Sequence, residues 1–251
     1  MQRSGFCLSG GSPRLTELIF WGEWEAQSNV VSEISEPVRD GPRWIYRPYF
    51  ERPSSYTHLQ NTDPFVFGDQ FHYTGCLQHT KHGPTQMRNL SRGSVILFGS
   101  CLHRSAFVLD TVFVVDHWID HSLHDYQENL RGRISDTYAA VTIAPWYANT
   151  WEPDKVHRLY FGATYQQSVD GMFSFFPCIQ ADKDSRGFAR PEIILPGIVT
   201  PNQTQNKKLT FRDTTRQIAE IWQEVKRQVI DQGLLLGVRA DLPPEVHPSS
   251  E

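Results

Sequence analysis

The sequence predicts an α+β fold: a curled, mostly antiparallel sheet or small β-barrel with packed helices and a long C-terminal helix. Two observations predict it. Short apolar runs bounded by turn residues recur along the chain, and they outnumber the helical patterns without alternating with them. At 251 residues the chain suits one large domain. We expect that domain to span 1–242, with 243–251 (Pro-Pro-Glu-Val-His-Pro-Ser-Ser-Glu) as a flexible tail. A hydrophobic content of 39% against 21% charged residues supports a buried core rather than disorder.

The elements follow in order. Leu18–Trp21 is a continuous apolar run stopped by Gly22, as in a buried strand. Around Pro37, Pro42, Pro48 and Pro53, Trp44, Tyr46, Tyr49 and Phe50 interleave with Arg43, Arg47 and Arg52, which predicts an ordered surface loop with extended pieces. Asp63-Pro64 and Gly68-Asp69 are turn signals, and Phe71–Thr74 is a short strand. Leu90–Ser94 is a tight turn into a strand at Val95–Phe98, and Phe107–Val115 is its antiparallel neighbour. Trp118–Asn129 is polar and is expected to be a short helix or loop. Further strands are expected at Thr137–Ile143, Arg158–Phe161, Met172–Phe176 and, at an edge, Pro191–Leu195. The long helix carries Ile218, Ile221, Trp222, Val225 and Val229 on one face. Thr214 and Gln217 form a capping box at its start, and Gly233 ends it.

Composition narrows the function. The formal net charge of −4 gives no general attraction for phosphate, so any nucleic acid must be held by a local patch or by one base. Cys7, Cys76, Cys101 and Cys178 include no C-x-x-C pair, and no leader or roughly 20-residue apolar span occurs. A reduced, cytoplasmic protein without a membrane partner is expected. Phosphate-loop, dinucleotide, nucleophile-elbow and zinc-hydrolase signatures are all absent.

The chemistry-bearing residues concentrate in Asn61–Asp116. Asp63, His72, Tyr73, Thr74 and Gln78 lie beside Phe65, Phe67 and Phe71, the pairing of hydrogen-bonding groups with ring faces that base recognition needs. The alternative is a turn-rich loop that packs its rings into the core. Asp110 interrupts an apolar strand: buried, it needs a partner or a raised pKa; outward, it is an ordinary surface carboxylate. Cys76 with His72 or His79 is a candidate nucleophile pair. Thr164, Tyr165 and Asp170 set polar groups among rings, and Arg190 is a candidate phosphate or carboxylate clamp. His117, His121 and His124, spaced i, i+4, i+7, would share one face of a helix and hold zinc or another imidazole-preferring ion. A solvated polar helix is the alternative.

Asp63-Pro64-Phe65, Phe71-His72-Tyr73-Thr74-Gly75, Leu90-Ser91-Arg92-Gly93-Ser94 with Val95–Phe98, and Phe113–Val115 resemble the nucleotide-modification-associated domain family over residues 63–115. That family's pattern has an Asp-Pro, a Thr-Tyr-Gly-like turn and a Leu-x-x-Gly-Asp strand entry. Here Tyr73-Thr74 reverses the pair, and Ser94 stands in place of the Asp. The proteins of that family occur beside DNA-modification and phage-conflict genes. The resemblance implies a nucleotide- or nucleic-acid-directed protein, either a base-modifying enzyme or a reader of modified bases. In the enzyme version Asp110 is the general base, and His72 or Tyr73 supplies acid or hydrogen-bond support. Phe65, Phe71, Asp63, Gln78, Thr164, Tyr165, Asp170 and Arg190 would bind substrate. Two other readings remain open: a non-catalytic interaction or scaffold domain, and a metal-dependent hydrolase built on the three histidines.

Overall fold

A computed structural model describes residues 1–9, 11–52, 62–102, 106–149, 154–182, 186–199 and 215–247. β1 (Gln2–Ser9) and β2 (Ser12–Phe20) form a hairpin, and β3 (Ser28–Glu33) and β4 (Trp44–Pro48) form a separate ribbon. Short strands β5 (His72–Tyr73), β6 (His79–Thr80) and β7 (Gly83–Pro84) lead to β8 (Val95–Leu102) and β9 (Ala106–His121). A helical stretch follows: α1 (Tyr126–Asn129), α2 (Asp136–Tyr138), a π-helical turn (Ala139–Ile143) and α3 (Ala144–Ala148). The chain ends with β10 (His157–Gly162), β11 (Phe176–Gln180), α4 (Thr215–Asp231) and β12 (Leu235–Ala240).

The architecture is mixed and mostly strand. β1, β12, β11 and β2 close into an antiparallel barrel, and β5-β10-β9-β8 form a four-stranded sheet beside it. Phe20, Phe67, Phe71 and Phe176 pack between the two, with Phe20 and Phe176 ring centres 4.5 Å apart. Gly237 makes that packing feasible, because an added Cβ there would clash with Cε2 of the Phe176 ring. α4 buries Trp222, Val225 and Val229 against Phe173 and Phe175, and the Trp222 indole donates to the Phe173 carbonyl at 3.0 Å. No helix among the described residues is long and apolar enough to cross a membrane.

Several expectations are corrected. α4 is followed by β12, which completes the barrel. Gly233 does end the helix, in the left-handed region at φ 79°; Thr214 lies outside the described residues. Thr137–Ile143 is helical, because the Ser135 hydroxyl accepts from the Tyr138 N–H at 3.1 Å and starts a helix there. β9 runs six residues past Val115, since 117–121 pair in register with 157–161 of β10 and so are strand rather than helix. Of the expected tail, 243–247 is held: Phe50 donates to the Pro244 carbonyl at 3.0 Å, Val246 donates to Phe50 at 2.8 Å, and Arg52 pairs with Glu245 at 3.1 Å. Residues 248–251 lie outside the described residues.

Candidate functional site

The Asp63–Gln78 loop turns its polar groups inward. Asp63 is buried, and its carboxylate accepts from three consecutive backbone N–H groups: Thr74 at 3.0 Å, Gly75, and Cys76 at 2.8 Å. Such a run of amides is an anion nest, and the chain supplies its own anion. Burial pushes the Asp63 carboxyl up to about 6, while the three donors pull the other way. Both oxygens are thus committed to holding the 74–76 turn, and Asp63 is not a free substrate contact. Gln78, fully buried, pairs twice with the Arg158 backbone: Nε2 donates to the carbonyl at 2.6 Å and Oε1 accepts from the N–H at 3.3 Å. Phe65 and Phe71 are core rings, packed on Tyr138 at 4.8 Å and Phe176 at 5.9 Å.

His72 and Tyr73 are equally enclosed. β5 pairs them with Phe161 and Tyr160. His72 stacks on Phe65, burial holds its imidazole down at about 3, and Nδ1 has no partner among the described residues. Tyr73 stacks on Tyr160 and donates to the Cys76 carbonyl at 2.5 Å, and burial drives its phenol far above the ordinary range. Burial, with Asp63, Glu23 and Glu25 nearby, raises the Cys76 thiol to about 11, which disfavours the thiolate that a Cys–His nucleophile pair needs.

Asp110 lies elsewhere. In the sheet His72 is opposite Phe161, which is opposite His117, seven residues further along β9 than Asp110. At strand rise that is about 20 Å. The predicted catalytic trio therefore does not assemble. Asp110 instead meets Arg190, whose Nη1 is 3.3 Å and 3.5 Å from the two carboxylate oxygens. The guanidinium also lies over the Trp21 ring, 5.1 Å from its centroid, and the Trp21 indole is fixed by donating to the Phe188 carbonyl at 2.9 Å. Desolvation pushes Asp110 up to about 6 against the pull of Arg190, with Glu23 adding to the rise. Glu23 is itself raised by burial and by Glu25. The side chains of Asp110 and Arg190 keep 16% and 27% of their exposure, so solvent and solutes reach them. Sequence reasoning named both members of this pair separately. It missed Trp21 and Glu23, whose signal was only the end of a buried strand followed by Gly22.

The segment after β10 contributes structure. The Thr164 hydroxyl accepts from the Gln167 N–H at 3.0 Å, and Tyr165 donates to the Gly11 carbonyl at 2.9 Å. Asp170 and Gly171, at φ 50° and 80°, are the two central residues of a tight hairpin turn closed by Val169 and Met172. None of these three is drawn to Asp110 by a hydrogen bond.

The histidines have separate partners and do not converge. His117 stacks on Phe161 at 4.4 Å and pairs with Asp116, while exposed His124 pairs with Asp154 at 3.0 Å. Buried His121 lies between the Tyr147 hydroxyl at 2.6 Å and the Thr74 hydroxyl at 3.2 Å. Their helical spacing has no meaning on a strand and its following turn. Among the described residues no group of three His, Cys, Asp or Glu is arranged to hold a metal ion.

No protein family, curated protein or solved structure matches the chain.

Proposed function

We propose that the chain binds a nucleobase-bearing ligand, a nucleotide or single-stranded nucleic acid, at Asp110, Arg190, Trp21 and Glu23, and that it reads this ligand rather than transforming it. One observation carries the reading: a solvent-reachable guanidinium is held between a carboxylate and an indole. A guanidinium donates in a fork to a base carbonyl or a phosphate, a carboxylate accepts from ring and exocyclic N–H groups, and an indole supplies a face for stacking. Recognition without turnover is favoured because the acids expected to work with Asp110 are about 20 Å away along β9 and enclosed in the core. The test is a thermal-shift and Trp-fluorescence screen with nucleoside monophosphates and short single-stranded oligonucleotides. A ligand at a hundred times its dissociation constant adds about 2.7 kcal/mol. Binding that disappears in Arg190→Ala supports the reading, and no response from any nucleotide refutes it.

A second reading rests on the ribbon. Val30, Trp44 and Tyr46 share the outward face of β3–β4 and are 57%, 45% and 38% exposed. Along 28–52, Arg39, Arg43, Arg47 and Arg52 are balanced by Glu33, Glu36, Asp40 and Glu51, so the ribbon has no net charge to attract phosphate. An aromatic, neutral face suits a protein partner.

A further inference from the structure

The geometry points to Gln228 and Gln232 of α4 as positioning residues that set Arg190 against Asp110. Residues 190–194 run extended between β9 and α4. On one side Leu109 donates to the Pro191 carbonyl and Ile193 donates to the Phe107 carbonyl, both at 2.9 Å. On the other side the backbone groups of 192 and 194 meet side-chain amides. Gln232 donates to the Glu192 carbonyl at 3.0 Å and accepts from its N–H at 3.2 Å. Gln228 does the same at Ile194, at 2.9 Å and 2.8 Å. The match is one of rise. Four residues of helix advance about 6.0 Å, and two of extended chain about 6.6 Å. Glutamines at i and i+4 therefore meet backbone at j and j+2, running antiparallel.

The register fixed this way bears on the site directly. The Leu109–Pro191 hydrogen bond is adjacent in sequence to both members of the ion pair, Asp110 following one residue and Arg190 preceding the other. A slip of the 190–194 segment along β9 would carry the guanidinium away from the carboxylate. Ile193 and Leu195 are buried and anchor the inner face of the segment, while Glu192 and Ile194 are exposed, so on their side the hold comes from the glutamine amides. Gln228 is in turn oriented by donating to Glu224 at 2.8 Å, and Glu224 pairs with Arg227. This assignment rests on the Asp110–Arg190 pair being the binding site, but the pair's geometry can be tested without any nucleotide.

The experiment is a carbon-13 carboxyl titration of Asp110 in the full chain, comparing Q228A, Q232A, the double variant, R190A and Q223A. Gln223 is an exposed residue of the same helix and serves as the control. We expect R190A to move the Asp110 midpoint up by about one pH unit through loss of its opposite charge. The double variant should move it in the same direction to a similar extent, each single variant by part of that, and Q223A not at all. An Asp110 midpoint equal to wild type in a folded double variant, judged by far-ultraviolet circular dichroism, overturns the assignment. If the double variant fails to fold, the same comparison is made with the single variants, and unchanged midpoints there overturn it too. A shifted midpoint with no nucleotide binding in the wild type leaves the positioning role standing and removes the ligand reading alone.

Discussion

Arg190 and Asp110 are eighty residues apart in sequence, yet the guanidinium of one is 3.3 Å from the carboxylate of the other. Each satisfies a demand the other creates. A carboxylate on an apolar strand needs a cation, and an arginine over an indole needs an anion. What remains exposed of both is the part a ligand can use.

Arg190→Lys tests whether the fork matters or only the charge. An ammonium keeps the attraction to Asp110 but cannot donate two parallel hydrogen bonds or lie flat on Trp21. Nucleotide affinity is expected to fall at least about tenfold in Arg190→Lys, roughly 1.4 kcal/mol, and further in Arg190→Ala. Isothermal titration on the three proteins checks the order. Equal affinities for lysine and arginine would exclude bidentate recognition.

Asp63→Ala should be among the most damaging single changes in the chain. It strands three amide donors at Thr74, Gly75 and Cys76 in a buried turn. At about 1–3 kcal/mol for each unsatisfied buried group, with some relaxation, a loss of about 3 kcal/mol or more is expected in urea unfolding. Asp63→Asn keeps one acceptor oxygen and should lose less.

Stability against pH carries opposing contributions in one window. Burial holds His72 and His157 at about 3 and His121 at about 4, below the ordinary 6.5, with His121, His79, Lys155 and Arg88 adding to the fall at His157. Between those values the unfolded chain binds more protons, so these groups withdraw stability as pH falls from about 6.5. Asp110 does the reverse: held at about 6 against an ordinary 3.8, it adds stability as pH falls from about 6 to 4. Asp63, also at about 6, and raised Glu23 act in the same sense as Asp110. Asp110→Asn is therefore expected to deepen the acid loss by on the order of 2 kcal/mol, and His72→Phe to reduce it by a similar amount. Urea midpoints at pH 7.5, 6 and 4.5 decide it; identical pH slopes in all three proteins would contradict both assignments.

Gly237→Ala drives a methyl group against the Phe176 ring at the seam of the barrel. Overpacking of a filled core costs typically 1–3 kcal/mol. A Gly237→Ala protein as stable as wild type in thermal unfolding would mean that Phe176 repacks freely.

Much of the fold could be read from local pattern where pattern and environment agree. Leu18–Phe20 and Val95–Phe98 are continuous apolar runs, Phe107–Val115 is apolar but for Asp110 and Thr111, all three are strands, and the Trp222, Val225 and Val229 stripe is the buried face of α4. β1 and β12 escaped because Arg3, Ser4, Gly5, Gly237 and Arg239 interrupt their alternation; the glycines are there for close packing, which a pattern of apolar residues cannot express. His117–His121 escaped because their strand depends on β10, forty residues on. At the site, Asp110 and Arg190 were each identifiable by chemistry, but their meeting depends on a register that only the folded chain contains. The enclosure of Asp63, His72 and Tyr73 was not legible for the opposite reason: polar groups beside rings describe a ligand pocket and a well-satisfied interior equally well.

The paired glutamine amides have one more consequence. At Arg158, Glu192 and Ile194, Gln78, Gln232 and Gln228 offer an extended segment the donor and acceptor that a neighbouring strand would have offered. These backbone positions are thereby closed to strand addition from another chain, a recognised route to aggregation. Protection of that kind resides in three side chains rather than in the architecture. Deamidation of Gln228 or Gln232 would set a second acceptor against a backbone carbonyl and leave that stretch of the 190–194 edge without its donor.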